Sequence, residues 1–489
     1  MKKRMPKGIN KLYFIQMSIT FSYAVIYSSL SLFLTRKIGF SQDIAGETMG
    51  LFLAFNYALH LIAGYIGGRL VSNRVLIIVS IIAQIIGFFL LGLSSVTTIY
   101  MGLCLFLIGC GINVTCYNCI LVSRFGESDE DASKRESASF MSYCFMNAGF
   151  LLGFSISGYF ESLTNYSAIF FIGNIFNCLA LFFMAINWNN LKESDTLLAK
   201  SCKSELSKKM FAGIAIIAIC IPFMLAGFQF PSISNSLVAA LGIAMFIFIY
   251  FKAKLQLDEI ARKNITTFLI LSLSSIVFWM IYFVGPMSVT LFIKNNTDTN
   301  IMGYDIQPQW FNNINAAIII SGAPLLAYVF RKLGEKGLNI SEFTSFSIAI
   351  LFISLSFFML VLGINNSVES GMTNSGWVVM HYIFQSSGEL FIGPIGYAMV
   401  GRLSPPGMRG IMMGTFMLSS GVAASLSSYF ASLISNPIDN SPLLTNTSYH
   451  DTFLKLGESG IVMVIILLSV SYYYRVINKK SISSDKVGA

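Results

Sequence analysis

Long apolar runs, separated by short polar stretches, follow one another along the whole chain. Each run is close to the ~20 residues that an α-helix needs to cross the hydrocarbon core of a bilayer. The runs do not alternate polar and apolar residues as the strands of a membrane β-barrel do; residues 75–91, for example, are apolar on every helical face. The pattern predicts fourteen membrane-spanning helices, near residues 12–35, 45–68, 75–95, 98–122, 138–160, 166–187, 210–227, 233–251, 265–293, 310–330, 342–363, 376–401, 409–434 and 457–474.

Two charged connectors, over residues 189–209 and 252–263, divide the predicted helices into groups of six, two and six. Such a division into bundles predicts where the domains begin and end. We predict an N-terminal six-helix bundle over 1–190, a linker with a two-helix transmembrane hairpin over 191–263, and a C-terminal six-helix bundle over 264–489.

The predicted hairpin turns near Pro222, Gly227 and Pro231, because Pro and Gly are the residues that most often interrupt helices. Two six-helix halves around a central cavity are a common arrangement in secondary transporters, which bind their substrate near mid-membrane between the halves. The organisation therefore indicates an all-α membrane protein that moves a solute.

Composition and charge exclude two other classes of protein. With 55% hydrophobic residues, 11% charged residues and a mean hydropathy of +0.70, the chain has too many apolar side chains for a water-soluble protein. If the N-terminus is cytoplasmic, only Arg36, Lys37, Lys294 and Lys455 of the 32 Lys and Arg lie outside, and the other 28 are cytoplasmic. The net charge of +9 thus follows the positive-inside rule and indicates no nucleic-acid partner. Both termini are predicted to be cytoplasmic.

Glu389 is the one acid predicted near the middle of a span. It lies twelve residues after Trp377 and eleven before Val400, which places it roughly 18 Å along its helix at 1.5 Å per residue. Pro394, five residues later, predicts a broken helix beside the acid. Because a charge at this depth is costly, Glu389 predicts a site for a cation, an amine or a proton. The alternative is a protonated Glu389 hydrogen-bonded to a neighbouring helix.

Four further polar residues lie inside predicted spans. Asn147 and Asn315 are candidates for substrate contact, although amides also join helices in membranes. His60 and His381 are candidates for proton coupling, because histidine titrates near neutral pH; each can equally be a structural histidine. No spacing typical of metal ligands, paired catalytic carboxylates or a nucleophile elbow is found, so we predict neither an enzyme nor a bound metal or cofactor.

The sequence around Glu389 resembles the proton-dependent oligopeptide transporter family of the major facilitator superfamily. Two short sequences, Gly388-Glu389-Leu390 and Gly393-Pro394-Ile395-Gly396, are similar to the family's GEL and SPxG motifs. Two that follow, Leu403-Ser404-Pro405 and Arg409-Gly410-Ile411-Met412-Met413-Gly414, are similar to its LAP and RGxMMG motifs. The resemblance covers nearly the whole chain and includes the extra hairpin between the two halves. It implies a major facilitator fold of two six-helix bundles plus a two-helix insertion, in a bacterial inner membrane.

The resemblance also implies roles for five residues. Glu389, with Asn147 and Asn315, corresponds to the family's site for the amino terminus and backbone of a peptide. Tyr23 and Tyr57 match aromatic positions that line the family's cavity. An ammonium group needs an anion and neutral acceptors when it leaves water, so this set is chemically suited to an amine.

The chain departs from the family's pattern at the residues that bind the carboxylate end and couple protons. The family's first-helix ExxERFxYYG motif has lost both glutamates and its arginine, since Gln16, Ile19 and Thr20 stand there. The fourth-helix lysine falls on Val114 and the acid of the seventh core helix on Phe283. Proton coupling must then depend mainly on Glu389, aided by His60 or His381. The acid of the cytoplasmic motif after the second helix is likewise replaced, by Gly68.

We predict a secondary active transporter of dipeptides, tripeptides or related amino compounds that works by alternating access, is linked to protons and is a monomer. Modified peptides and small amines stay open as substrates, because the first and fourth spans hold no Arg or Lys for a peptide carboxylate. The alternative is a proton-independent facilitator or exporter of a different small amine or drug. A receptor derived from a transporter is less well supported, since the longest cytoplasmic loop is too short to fold alone.

Overall fold

The computed structural model describes residues 5–125, 129–193, 196–301, 303–336, 340–405, 408–434 and 441–485. Most of these residues are helical. The α-helices are α1 (Ile9–Leu32), α2 (Gln42–Ile66), α3 (Asn73–Gly92), α4 (Val96–Ser123), α5 (Asp129–Ser162), α6 (Tyr166–Asn187), α7 (Lys203–Gln229), α8 (Pro231–Lys254), α9 (Glu259–Phe283), α10 (Thr290–Asn296), α11 (Pro308–Glu335), α12 (Glu342–Asn365), α13 (Ser375–Leu403), α14 (Arg409–Ser432) and α15 (Pro442–Asp485).

Each predicted span falls on one of these helices, with α9 and α10 forming the ninth span. Ten helical segments within the described ranges are long and apolar enough to cross a membrane. The prediction of a multi-pass, all-α membrane protein is confirmed. Three of the remaining helices, α5, α11 and α13, carry amide or carboxyl side chains at mid-span, which lowers their hydropathy.

Two π-helical segments interrupt the regular helices toward one end of the bundle. Phe33–Ile38 continues α1, and Gly285–Val289 joins α9 to α10. Pro286 lacks an amide hydrogen, so the ladder shifts and the Val289 amide donates to the Val284 carbonyl five residues earlier. Ser31 donates its hydroxyl to the Pro286 carbonyl at 2.5 Å. This bond joins the end of α1 to the segment between α9 and α10.

Short strands lie between the helices at this same end. Thr297–Asp298 (β1) pairs in parallel with Thr373–Asn374 (β4), Thr297 opposite Thr373. Asn300–Ile301 (β2) pairs antiparallel with Tyr304–Asp305 (β3). The pairing holds the connections after α10 and α12 against each other.

Two helix-breaking signals in the sequence were interpreted wrongly. Pro394 does not break its helix, because α13 is helical from Ser375 to Leu403; one proline removes a single backbone hydrogen bond, and the neighbouring turns keep theirs. Pro222 does not form the hairpin turn either, since it lies inside α7. The turn is at Phe230, directly before Pro231 starts α8, which is the first-turn position that proline favours.

The last helix begins earlier than predicted, at Pro442 instead of near residue 457. Its first turns are polar and bond to the loops around them. Asn296 donates to Thr445 Oγ1 at 2.7 Å and to Asn446 Oδ1 at 2.9 Å, and Asn446 donates to the Gly371 carbonyl at 2.7 Å. These partners satisfy the polar side chains, so the helix extends past the apolar run that marks the span.

Small residues let the helices within each group approach closely. A Cβ atom at Gly153 of α5 would lie 2.6 Å from Cβ of Ala24 on α1. In the second group, a Cβ at Gly388 of α13 would lie 2.8 Å from the Ala349 carbonyl of α12. Close approach at small residues is the usual way membrane helices pack, because lipid gives them no hydrophobic drive to associate. The domain boundaries at 190/191 and 263/264 stay a prediction.

The two groups of helices touch each other at the end of the bundle that is remote from the start of α1. Trp310 of α11 donates its indole N–H to the Ser155 carbonyl of α5 at 2.9 Å, and Asn313 donates to Ser155 Oγ at 3.0 Å. On the other side of the bundle, Gly50 of α2 packs on Ser428 of α14. The groups are therefore closed against each other at this end.

Candidate functional site

A cavity of about 1050 Å³ lies between the two groups of helices. Its walls come from α1, α2 and α5 of the first group and from α9 and α11 to α14 of the second. It reaches the beginning of α12 at Glu342 and the end of α13 at Arg402, whose side chain is 64% exposed. The cavity is thus entered from the end of the bundle opposite the closed one.

Glu389 lines this cavity and is half-buried. Its Oε2 atom accepts two hydrogen bonds, from the Tyr282 hydroxyl at 2.9 Å and from Asn315 Nδ2 at 2.8 Å. Asn315 Nδ2 also donates to Ser386 Oγ at 3.1 Å. Both donors bind one oxygen, so within the described structure Oε1 has no protein donor. A carboxylate with one free oxygen in a cavity can accept charge-assisted hydrogen bonds from an ammonium group.

Packing of α9 fixes the orientation of the Tyr282 phenol. Its ring makes edge contacts with Trp279 at 5.3 Å and Phe283 at 5.8 Å and stacks on Phe278 at 6.1 Å between centroids. Aromatic neighbours in these geometries hold a side chain by several weak contacts at once. The hydroxyl is therefore directed at Glu389 across the interface between α9 and α13.

The other predicted substrate residues also lie at this cavity. Asn147 is buried, with an exposed fraction of 4%, and donates Nδ2 to the Tyr143 carbonyl one turn earlier at 2.9 Å. Tyr23 and Tyr57 are half-buried in the cavity wall. The structure therefore brings Glu389, Asn315, Asn147, Tyr23 and Tyr57 together, although their roles stay predictions.

The two histidines lie elsewhere. His60 on α2 is bonded through Nδ1 to the Gly111 carbonyl of α4 at 2.7 Å. His381 on α13 is fully buried against Phe357, with ring centroids 5.1 Å apart, and Nδ1 lies 3.0 Å from the Ser356 carbonyl of α12. Neither lines the cavity in the described part of the chain. These contacts join neighbouring helices, and a role of either histidine in proton coupling stays a prediction.

Several cavity residues were missed from the sequence. Tyr282 donates to Glu389, and Tyr27, Tyr143 and Gln385 add polar groups to the wall. A tyrosine in an apolar helix is ambiguous, because its ring packs in cores as readily as it lines a site. Gln385 was the detectable one, since it stands one turn before Glu389 on the same helix.

Of the positions that depart from the family pattern, Phe283 lies in the cavity wall, whereas Val114 and Gly68 are not among its described residues. Phe283 lines the cavity beside Tyr282, so an apolar ring occupies the wall where the family has an acid. Val114 is 42% exposed and is not among the described residues of the cavity wall. Gly68 has a φ of 69°, a left-handed conformation that glycine adopts most easily.

We expect replacement of Tyr282 by Phe to weaken ligand binding by roughly 10-fold. The lost hydrogen bond, worth about 1.5–3 kcal/mol when its acceptor is charged, disfavours the ionised form of Glu389 that an ammonium group needs. The ring contacts stay intact, so the protein should remain folded. Isothermal titration calorimetry with a small primary amine as the probe measures the loss. Tyr382→Phe is the matched control, since the Tyr382 hydroxyl is fully buried without a hydrogen-bond partner in the described structure. Equal affinities for the two variants would contradict the role of Tyr282.

Comparisons with known proteins agree on one type of protein. The profile of the POT family matches residues 73–447. A dipeptide and tripeptide permease B of Shigella dysenteriae is 28% identical over 480 residues, covering 96% of each chain. One from Aeromonas hydrophila is 26% identical over 488 residues, covering 97% of this chain and 94% of the relative.

Solved structures show the same fold. A peptide transporter in complex with alafosfalin superposes with a TM-score of 0.84 at 21% identity, and a POT family transporter in complex with 5-aminolevulinic acid with 0.82 at 22% identity; each match covers 96% of both chains. The predicted arrangement of two six-helix bundles with an inserted hairpin is thereby confirmed.

Proposed function

The chain belongs to the POT family, as its motifs indicated, and from this premise we propose that it is a secondary active transporter of dipeptides, tripeptides or related amino compounds. The observation that carries the proposal is the Glu389 carboxylate, which lines a cavity between two helical groups that are closed at one end and open at the other. A site at the interface of two halves is what alternating access requires, because rocking the halves exposes it to either side in turn.

The size of the cavity supports a short peptide as substrate. Cavities that bind small molecules usually measure about 300–1,000 Å³. At about 1050 Å³, the space can hold a dipeptide or tripeptide together with some water. The relatives named as dipeptide and tripeptide permeases are consistent with this size.

Glu389 is also the proposed proton site. Its carboxyl group can take up a proton, and a proton carried there would cross the membrane in the same rocking motion, and in the same direction, as a substrate held in the cavity.

The proposed orientation places both termini in the cytoplasm. An even number of spans puts the two termini on one side of the membrane, which the positive-inside rule makes cytoplasmic. We further propose the bacterial inner membrane as the location and a monomer as the transporting unit.

Uptake into liposomes tests this function. Purified protein is reconstituted, and labelled dialanine is added with and without an inward proton gradient. We expect accumulation above the external concentration with the gradient, and loss of that accumulation when a protonophore is added. If dialanine is taken up neither with nor without the gradient, the proposal is contradicted.

A proton-independent facilitator or exporter of a small amine is the second candidate. It is favoured by the apolar Phe283 in the cavity wall and by Ile19 and Thr20 on the first helix, where the family pattern has ionisable residues. In the same assay, equilibration of dialanine or of an amine without any effect of the gradient would favour this function.

We expect His60→Gln to keep gradient-driven accumulation within about two-fold of the wild type. The reason is that His60 contacts the Gly111 carbonyl outside the cavity, and a Gln amide can still donate to that carbonyl. Initial rates at two external pH values measure the effect. Glu389→Gln, measured in parallel, is the control that loses uptake. If the His60→Gln variant equilibrates substrate but no longer responds to the proton gradient, His60 takes part in proton coupling and the prediction is wrong.

A further inference from the structure

The charges around the cavity are few and unevenly placed. Among the described residues of the wall, the charged ones are Glu389, Glu342 and Arg402. Arg402 forms an ion pair with Glu342 and stands at the open end, with its side chain largely in solvent. The interior around Glu389 therefore contains an anion and no described cation.

Arg402 is too far from Glu389 to hold the other end of a short peptide. The two residues are thirteen positions apart on the continuous helix α13, which is roughly 20 Å at 1.5 Å per residue. Both side chains point toward the start of the helix, so their direction does not bring Arg402 and Glu389 closer together. An extended chain spans at most about 3.3–3.6 Å per residue, which gives about 7 Å for a dipeptide and about 11 Å for a tripeptide.

The rest of the described wall near Glu389 is neutral. It combines apolar aromatic side chains, Trp279 and Phe283 among them, with tyrosine hydroxyls and with neutral amides such as those of Asn312 and Gln385. A carboxylate that leaves water needs a cation or several strong donors, whereas a neutral amide or an aromatic group loses far less. The donors of the described wall are neutral, and the charge beside them, that of Glu389, is negative. The free carboxylate of a ligand bound there would lack a cationic partner, so these surroundings favour a neutral group at that end.

We propose that this cavity recognises its ligand by a primary amine alone, and that its preferred substrates are monocations whose other end is neutral and apolar or aromatic. Dipeptides with an amidated carboxyl end belong to this class, and free dipeptides are its weaker members. The inference rests on the proposed function, since it assigns the substrate class of the same cavity.

Three ligands that differ by one group each test the inference. The affinities of the intact protein for Ala-Phe, for Ala-Phe amide and for N-acetyl-Ala-Phe amide are measured by calorimetry at pH 7. We expect the amide to bind at least three-fold more tightly than the free acid, and acetylation of the amine to weaken binding at least 30-fold. Equal affinity of amide and acid would contradict the proposed preference for a neutral end.

Tighter binding of the free acid than of the amide would overturn the inference, whereas gradient-driven uptake of dialanine would still support the proposed transport function. If neither Ala-Phe nor Ala-Phe amide bound, both the inference and the proposed function would be overturned. Arg402→Gln locates the error in the first case: loss of the acid's advantage in this variant would identify Arg402 as the carboxylate partner. If the inference holds, Arg402→Gln leaves the ratio of the two affinities unchanged.

Discussion

Replacing Glu389 by Gln is expected to weaken substrate binding by at least ~30-fold and to abolish uptake. Removing one partner of a buried, hydrogen-bonded charge pair costs about 2–5 kcal/mol, and each 1.4 kcal/mol is about ten-fold in affinity. The protein should stay folded, because the Gln carbonyl can still accept from the Tyr282 hydroxyl and from Asn315 Nδ2. Calorimetry with a dipeptide and uptake into liposomes give the two readouts.

Glu259→Gln is the matched control for this substitution. It makes the same chemical change in an exposed acid of α9 that pairs with Lys263 outside the cavity. Exposed pairs of this kind contribute about 0–1 kcal/mol, so uptake should be unchanged. Unimpaired uptake by Glu389→Gln would show that its carboxylate takes no part in recognition.

Replacing Gly50 by Ala is expected to reduce uptake roughly ten-fold while leaving ligand affinity within about three-fold of the wild type. The added Cβ would lie 2.7 Å from Cβ of Ser428 and 3.0 Å from the Ala424 carbonyl, across the contact between α2 and α14. Neither atom can move without shifting the helix, and overpacking typically costs about 1–3 kcal/mol. The cost falls on the closed end of the bundle, which the transport cycle must form, and not on Glu389.

Two further variants separate this effect from general damage. Gly92→Ala adds the same methyl group at the end of α3, where nothing lies within 4 Å of the new Cβ, so uptake should not change. Adding Ser428→Gly to the Gly50→Ala protein removes the nearest clashing atom and should restore most of the uptake. If uptake is unaffected by Gly50→Ala, or is not restored in the double variant, the packing of α2 on α14 does not limit transport.

The helices could be predicted from the sequence because hydrocarbon imposes a simple rule: about 20 apolar residues form one spanning helix. Glu389 could be found for a related reason, since an isolated acid at mid-span is costly without a role. Both features depend on local sequence alone, and the structure places Glu389 at the cavity between the two groups.

Features that depend on distant partners could not be predicted. The sequence does not distinguish Tyr282 from the other tyrosines among its 21, because only the packing of α9 beside α13 directs its hydroxyl at Glu389. The contact of His381 with the Ser356 carbonyl of α12 could not be predicted either, because it depends on how α12 packs against α13. The early start of α15 likewise depends on Asn296 and Gly371, which are remote in sequence. Local pattern identifies which residues are unusual, and packing decides what they contact.

A structure of the protein with bound Ala-Phe amide, determined by electron cryo-microscopy, tests most directly whether one acid recognises the substrate. We predict that the amine nitrogen of the ligand lies about 3 Å from a carboxylate oxygen of Glu389, the distance of a charge-assisted hydrogen bond, with Asn315 and Asn147 beside it. A ligand seated in the cavity with its amine away from Glu389 and bonded to other residues would contradict the account.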